Sequence, residues 1–254
     1  MQSFTRNAVA TTALIVGALA PEMARAQALP AASEVVAKYV AAIGGKAEVM
    51  KITSMKQVAT MAIPSVGLNA EMEMYSAAPN RSAMKAAFPG LGEMLRGYDG
   101  SVAWDVNPMQ GPRLLQEKEL ATAVENADFY TTFLFPADRY SLMQTVGDTT
   151  INGEKAYKVK MVRKATAEES MSYFSASTGL LVANLSTSES QMGVMTVMST
   201  MGDYKKFGGV LMPTKLEQQM GPQTVVVTIK NITINDVPES AFAVPENVKP
   251  LIKK

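Results

Sequence analysis

The sequence predicts one mainly β domain with a few helices: a single half-closed antiparallel barrel of roughly eleven strands, its concave apolar face covered by helices. Three observations predict it. Long stretches alternate apolar and polar residues with period two, turn dipeptides punctuate them, and helical spacing is confined to two segments.

The first helical segment spans 33–43, where Val36, Val40 and Ile43 recur at i, i+4 and i+7. Ser33 is placed to cap it, Gly44-Gly45 ends it, and Lys46 to Ile52 adds a short turn. From Ser54 the period changes to two. Leu68, Ala70, Met72 and Met74 alternate with Asn69, Glu71, Glu73 and Tyr75, giving one greasy face and one wet face. Met55, Ala59, Met61 and Ile63 form a weaker version in the strand before. Asp99-Gly100 reads as a two-residue hairpin turn between Leu95–Tyr98 and Ser101–Val106. Asn152-Gly153, Thr178-Gly179, Gly208-Gly209 and Gly221-Pro222 mark further turns. Between them lie strand-like runs at 157–162, 170–175, 180–186, 194–201, 210–217 and 224–234. The second helical segment, 117–130, carries Leu120, Val124 and Ala127 at helical spacing. It leads into Phe129, Tyr130, Phe133, Leu134 and Phe135, the most aromatic stretch of the chain.

A meander this long twists and curls. With one face apolar and the other charged, it closes by folding around the helices at 33–52 and 117–130. No low-complexity linker and no repeat of 20–50 residues divides the chain.

Residues 1–26 read as a removable export signal rather than part of the fold. Arg6 supplies the positive end, Ala8 to Ala20 is an apolar run of 13 residues, and Ala24-Arg25-Ala26 offers a cleavage site. The run is too short for a membrane span, which takes ~20 residues. Ala26-Gln27-Ala28 is a second cleavage site, so the mature chain begins at Gln27 or Leu29. A signal of this form on a chain without Cys fits a bacterial periplasm, where disulfides are permitted but not required. Residues 27–254 then form the folded domain.

Composition excludes much chemistry. The 254 residues include no Cys and no His, which removes the Ser-His-Asp triad, the Cys-His dyad, ordinary structural zinc and any disulfide. With 24 basic and 23 acidic residues there is no basic surface for a nucleic acid. Glu117, Glu119, Glu125, Asp128 and Glu168-Glu169 read as solvated carboxylates, so no paired-acid enzyme is expected. Met192, Met195, Met198 and Met201 spell a thioether motif that raises copper. On a strand, however, a spacing of three alternates faces, and the members sharing a face stand about 20 Å apart at the usual rise per residue. No metal and no cofactor is expected.

Nineteen Met in all is the remaining signal. Met suits a deformable apolar cavity, and it also serves as ordinary core in place of Leu. The greasy sheet face, the helical plug and the aromatic stretch together favour a cavity. Leu68, Met72 and Met74 are expected to line it with Met61, while Phe129 and Phe133 close it. Trp104, alternating with Val102 and Val106, is a further candidate.

Short motifs then carry a resemblance. Leu29-Pro30 with Glu34 to Tyr39 and Gly44-Gly45, Gly97-Tyr98-Asp99-Gly100 with Trp104 and Asn107-Pro108, and Ala127 to Tyr130 are among them. Thr178 to Val182, and Asp203-Tyr204 leading to Gly208-Gly209-Val210 and Met212-Pro213, complete the set. Together they resemble exported outer-membrane lipoprotein-sorting proteins, which are similar to the carrier LolA and its receptor relative LolB. The resemblance implies a half-barrel with a helical lid over an apolar cavity, and a cavity-side Arg for which Arg81 and Arg96 are candidates. It implies a monomeric, non-enzymatic periplasmic carrier that takes lipid or lipoprotein acyl chains from a membrane-bound donor to an acceptor. A module that uses the same half-barrel to sense lipoproteins or envelope stress is the alternative.

Overall fold

The computed structural model describes residues 28–190 and 193–252, with the backbone alone at 188–190 and 193–195. The export signal read over 1–26 lies outside the described residues, as does Met192 of the thioether motif. The chain opens with helix α1 (Ala32–Ala42) and the short α2 (Lys46–Val49). Six strands follow: β1 (Ser54–Ile63), β2 (Leu68–Ala77), β3 (Arg81–Phe88), β4 (Gly92–Tyr98), β5 (Ala103–Asn107) and β6 (Gly111–Leu114). Helices α3 (Glu117–Ala127) and α4 (Thr131–Leu134) interrupt the meander. It resumes with β7 (Tyr140–Ile151), β8 (Glu154–Arg163), β9 (Glu169–Ser175), β10 (Leu181–Ser190) and β11 (Gly193–Gly202). The last strands are β12 (Lys205–Phe207), β13 (Val210–Met212), β14 (Lys215–Met220) and β15 (Gln223–Ile234).

Thirteen of these strands make one antiparallel sheet in the order β6-β5-β4-β3-β2-β1-β15-β14-β11-β10-β9-β8-β7, while β12 and β13 pair separately. The end strands β6 and β7 are not hydrogen-bonded to each other, so the sheet is not closed. It is nevertheless strongly curled. In a flat sheet β5 and β8 would lie roughly 48 Å apart, ten spacings of about 4.8 Å. Yet α3, 11 residues and so only about 16 Å long, packs on β4 and β5 and also reaches the β8–β9 turn.

The sheet has more strands than the roughly eleven expected. β3, β6 and β7 fall outside the strand-like runs read above, while Pro213 divides the expected 210–217 run between β13, in the small sheet, and β14, in the large one. Three local expectations are also corrected. Ala31 rather than Ser33 precedes the first turn of α1, and the Glu34 carboxylate accepts its N–H (3.1 Å). Helix α3 ends at Ala127, after which the Asp128 carboxylate accepts the Thr131 N–H (3.1 Å) and starts α4. The turn at Asp99-Gly100 is a four-residue loop, because the Asp99 carboxylate accepts the N–H groups of Ser101 (2.8 Å) and Val102 (2.7 Å). Asn152 and Gly153, both at positive φ, do join β7 and β8 as a two-residue hairpin turn.

Candidate functional site

Residues paired across an antiparallel ladder point to the same face, so the register assigns the inner face strand by strand. Met72 stands between Ala59 and Ala86, and Met74 between Gln57 and Met84. Further along, Met61 pairs with Val227, and Ala86 with Met94. The β1–β4 half of the inner face is thus mostly Met and Ala, with Gln57 and Arg96 as polar members. Met72, Ala59 and Ala86 are buried in one cluster with Val35, Val36 and Tyr39 from α1, with Ile43 just after it, and with Phe129 and Phe133.

The opposite half is different. One row runs Thr145, Val159, Ser172, Asn184, Ser199 and Gln218, and the next includes Ser170 and Ser186. Its members hydrogen-bond to one another: Asn184 Nδ2 donates to Ser172 Oγ (3.1 Å) and Gln218 Nε2 to Ser199 Oγ (3.4 Å). Ser172 is 1% exposed. The Thr145 hydroxyl is buried with no partner among the described residues.

Helix α3 is fastened to both ends of the curled sheet. Arg113 on β6 forks onto Glu119 (2.6 and 3.0 Å) and also reaches Asp105 (3.2 Å). That guanidinium holds the Glu119 carboxyl below its usual range, against the smaller effect of burial. At the other end Glu125 faces Arg163 (3.3 Å) and Arg139 (3.7 Å), Asp128 pairs with Arg139, and Thr122 Oγ1 donates to Glu168 (2.8 Å). Glu125, expected on a solvated face, is instead 8% exposed beneath these cations.

The seven expected lining residues do not form one group. Met61, Met72 and Met74 share the inner face, and Phe129 and Phe133 meet it in the common cluster. Leu68 has the same parity, but it pairs with Ile63 at the far end of β2. Trp104 is on the other face. It pairs with Gly97, which pairs with Ala83 and Tyr75 in turn. A Cβ on Gly97 would run into the indole. Trp104 is roofed there by Ala241, Ala243 and Pro245 of the C-terminal segment. The two candidate Arg also separate. Arg96 pairs with Met84 and Asp105 on the inner face, whereas Arg81 lies over the Phe242 ring (4.8 Å) and pairs with Glu239 on the outer face. In β11, Met198 pairs with Gln219 and Met201 with Leu216, on opposite faces.

The apolar opening of the molecule lies elsewhere, between α1 and the segment after α4. It is a cleft of about 840 Å³ walled by Val36, Val40, Leu134, Phe135, Pro136 and Met143, with Ser33 and Lys46 as its polar side chains. The helical period of α1 and the aromatic stretch were visible in the sequence, but their meeting with β7 was not. A second pocket, about 260 Å³, adjoins it on the inner face of β8–β10 beneath α3. Thr122, Asn126, Glu168, Ser172, Asn184 and Ser186 line it, with Arg163, Tyr140, Met161 and Phe135. Phe135 walls both spaces, at a left-handed backbone position after α4, its ring edge-on to Tyr39 (5.6 Å) and Phe174 (5.8 Å). Burial pushes the Tyr39 hydroxyl far above its usual pKa, so it stays neutral beside these rings.

The curled sheet with helices across its mouth matches solved structures over most of its length. A LolA superfamily protein from Nitrosomonas europaea superposes with a TM-score of 0.55 at 13% identity, covering 85% of this chain and 99% of that one. The fold is LolA-like. A DUF1329 family protein from Desulfovibrio piger gives a TM-score of 0.57 at 13% identity, over 84% of this chain and 97% of that one. An outer membrane lipoprotein-sorting protein domain from Vibrio parahaemolyticus gives 0.53 at 9% identity, over 82% and 94%. No family model and no curated protein matches the sequence. At these identities the LolA-like likeness concerns backbone architecture. What the cavities bind rests on this chain's own residues.

Proposed function

We propose that the protein is a non-enzymatic periplasmic carrier that shields the acyl chains of a lipid or lipoprotein during transfer towards the outer membrane. The observation that carries this reading is the apolar cleft between α1 and Leu134–Pro136, about 840 Å³ in volume, within the range of small-molecule sites. Each CH₂ moved from water into such a cleft contributes ~0.8 kcal/mol. A long acyl chain therefore binds without any charged anchor. The likeness in fold to an outer membrane lipoprotein-sorting protein domain from Vibrio parahaemolyticus agrees with a ligand of this class. The carrier acts as a monomer after export, and a membrane donor and an acceptor load and unload it.

The test is mass spectrometry of organic extracts from protein purified without detergent out of its native periplasm. About one acyl lipid or lipoprotein per chain is expected. Lipid-free protein recovered in a stable complex with another protein would favour an envelope-sensing module instead.

A further inference from the structure

The apolar cleft and the polar pocket are neighbours across a single strand pair. Met143, which walls the cleft, stands directly opposite Met161, which lines the pocket. Phe135 walls both. One half of this composite space is greasy. The other presents hydroxyls and amides from Thr122, Asn126, Ser172, Asn184 and Ser186.

We propose that the two spaces form one bipartite site for an amphiphile with an uncharged, polyhydroxylated head, a sugar or a glycerol: chain in the cleft, head in the pocket, Phe135 between. The inference rests on the carrier reading and specifies its ligand. Charge selects the neutral head. Arg163 is paired with Glu125, and Lys160 with Glu169 (2.8 Å), while Glu168 is bonded to the neutral Thr122. A carboxylate or phosphate head in the pocket would meet Glu168, and the two described cations beside it, Arg163 and Lys160, already face carboxylates, while Lys46 lines only the cleft. A cationic head would gain Glu168 but leave the hydroxyls and amides without a ligand that both donates and accepts. A sugar or glycerol does both.

The experiment is displacement of a fluorescent fatty-acid probe by four twelve-carbon amphiphiles, each below its micellar concentration. They are dodecyl β-D-glucoside, 1-lauroylglycerol, dodecanoate and dodecyltrimethylammonium. At least one neutral ligand should displace the probe at about tenfold lower concentration than either charged one. Asn184→Leu and Ser186→Val, with folding checked by circular dichroism, should each erase much of that advantage and leave dodecanoate unchanged. The better neutral ligand distinguishes sugar from glycerol. Equal displacement by all four would overturn the bipartite site and leave the carrier reading standing. So would a preference for a charged head, or a neutral preference that survives both folded variants. Failure of every ligand and of the probe to bind would overturn the carrier reading itself.

Discussion

The two halves of the inner face solve burial in opposite ways. Over β1–β4 it is built from Met72, Met74, Met84 and Met94 around Ala59 and Ala86, and it is covered by α1 and the Phe129–Phe133 segment. Over β8–β11 and β14 the buried Val159, Met161 and Phe174 are joined by a polar row, in which Asn184 bonds to Ser172 and Gln218 to Ser199. The first half is held by apolar contact, where any polar intruder is costly. The second adds hydrogen bonds to apolar contact and, in the pocket beneath α3, has room for more. One half of the sheet therefore serves as core and the other as both core and wall of a site, which period-two alternation alone does not distinguish.

The strongest way to break this contrast is to exchange chemistry between the halves. Met72→Glu places a carboxylate among Ala59, Ala86 and the α1 side chains, and should cost about 3 kcal/mol or more in urea denaturation. Ser172→Ala, an equally buried position in the other half, should cost about 1 kcal/mol, the hydrogen bond from Asn184 being its main loss. If the two variants lose equal stability, the halves do not differ as described.

Next in size is the fastening of α3. Glu125→Gln removes the charge facing Arg163 and Arg139, which are themselves partly solvated. A loss of about 1–2 kcal/mol is expected, below that of a fully buried pair. Hydrogen exchange along α3 should rise more than along α1. Uniform exchange throughout the chain would argue against a locally fastened helix.

At the other end of α3 the expectation concerns pH. Arg113 lowers the folded-state pKa of Glu119. A depressed carboxyl contributes stability that is present above its unfolded pKa and lost as pH falls through the folded one. Stability should therefore decline from near pH 4 downwards, and Arg113→Met should flatten part of that decline. An unchanged acid limb in Arg113→Met would remove Glu119 from the account.

The smallest expected effect is a null one. Trp104 is the single tryptophan and lies on the outer face beneath the C-terminal segment. Binding an acyl ligand should leave its emission maximum unchanged, whereas urea should shift it to the red. A ligand-induced shift would place the indole back at the cavity.

Much of the fold was legible because period and turns are local. The alternation of β2, the hairpin turn at Asn152-Gly153 and the stripe on α1 all survive in the structure. The site was less legible because facing is not local. In β9, Met171 and Tyr173 alternate with Ser170 and Ser172, so a greasy-in reading turns the serines outward. The register turns Ser172 inward and buries it. Trp104 misleads for a related reason. The outer face of β3–β5 is itself covered, by Phe242 and the residues after it, so both faces of β5 carry apolar side chains. The cleft was invisible because α1 on one wall is about a hundred residues from the Phe135 segment and β7 on the other.

The central claim is that the cleft beside α1 holds an acyl chain, and one titration tests it most directly. A fluorescent fatty-acid probe is titrated into wild type and into Val40→Glu, which puts a charge on the half-buried cleft wall outside the main core. The account predicts about one saturable site in wild type and a loss of at least tenfold in affinity in a variant that remains folded by circular dichroism. Equal probe binding by the two proteins, or none by wild type, would contradict it.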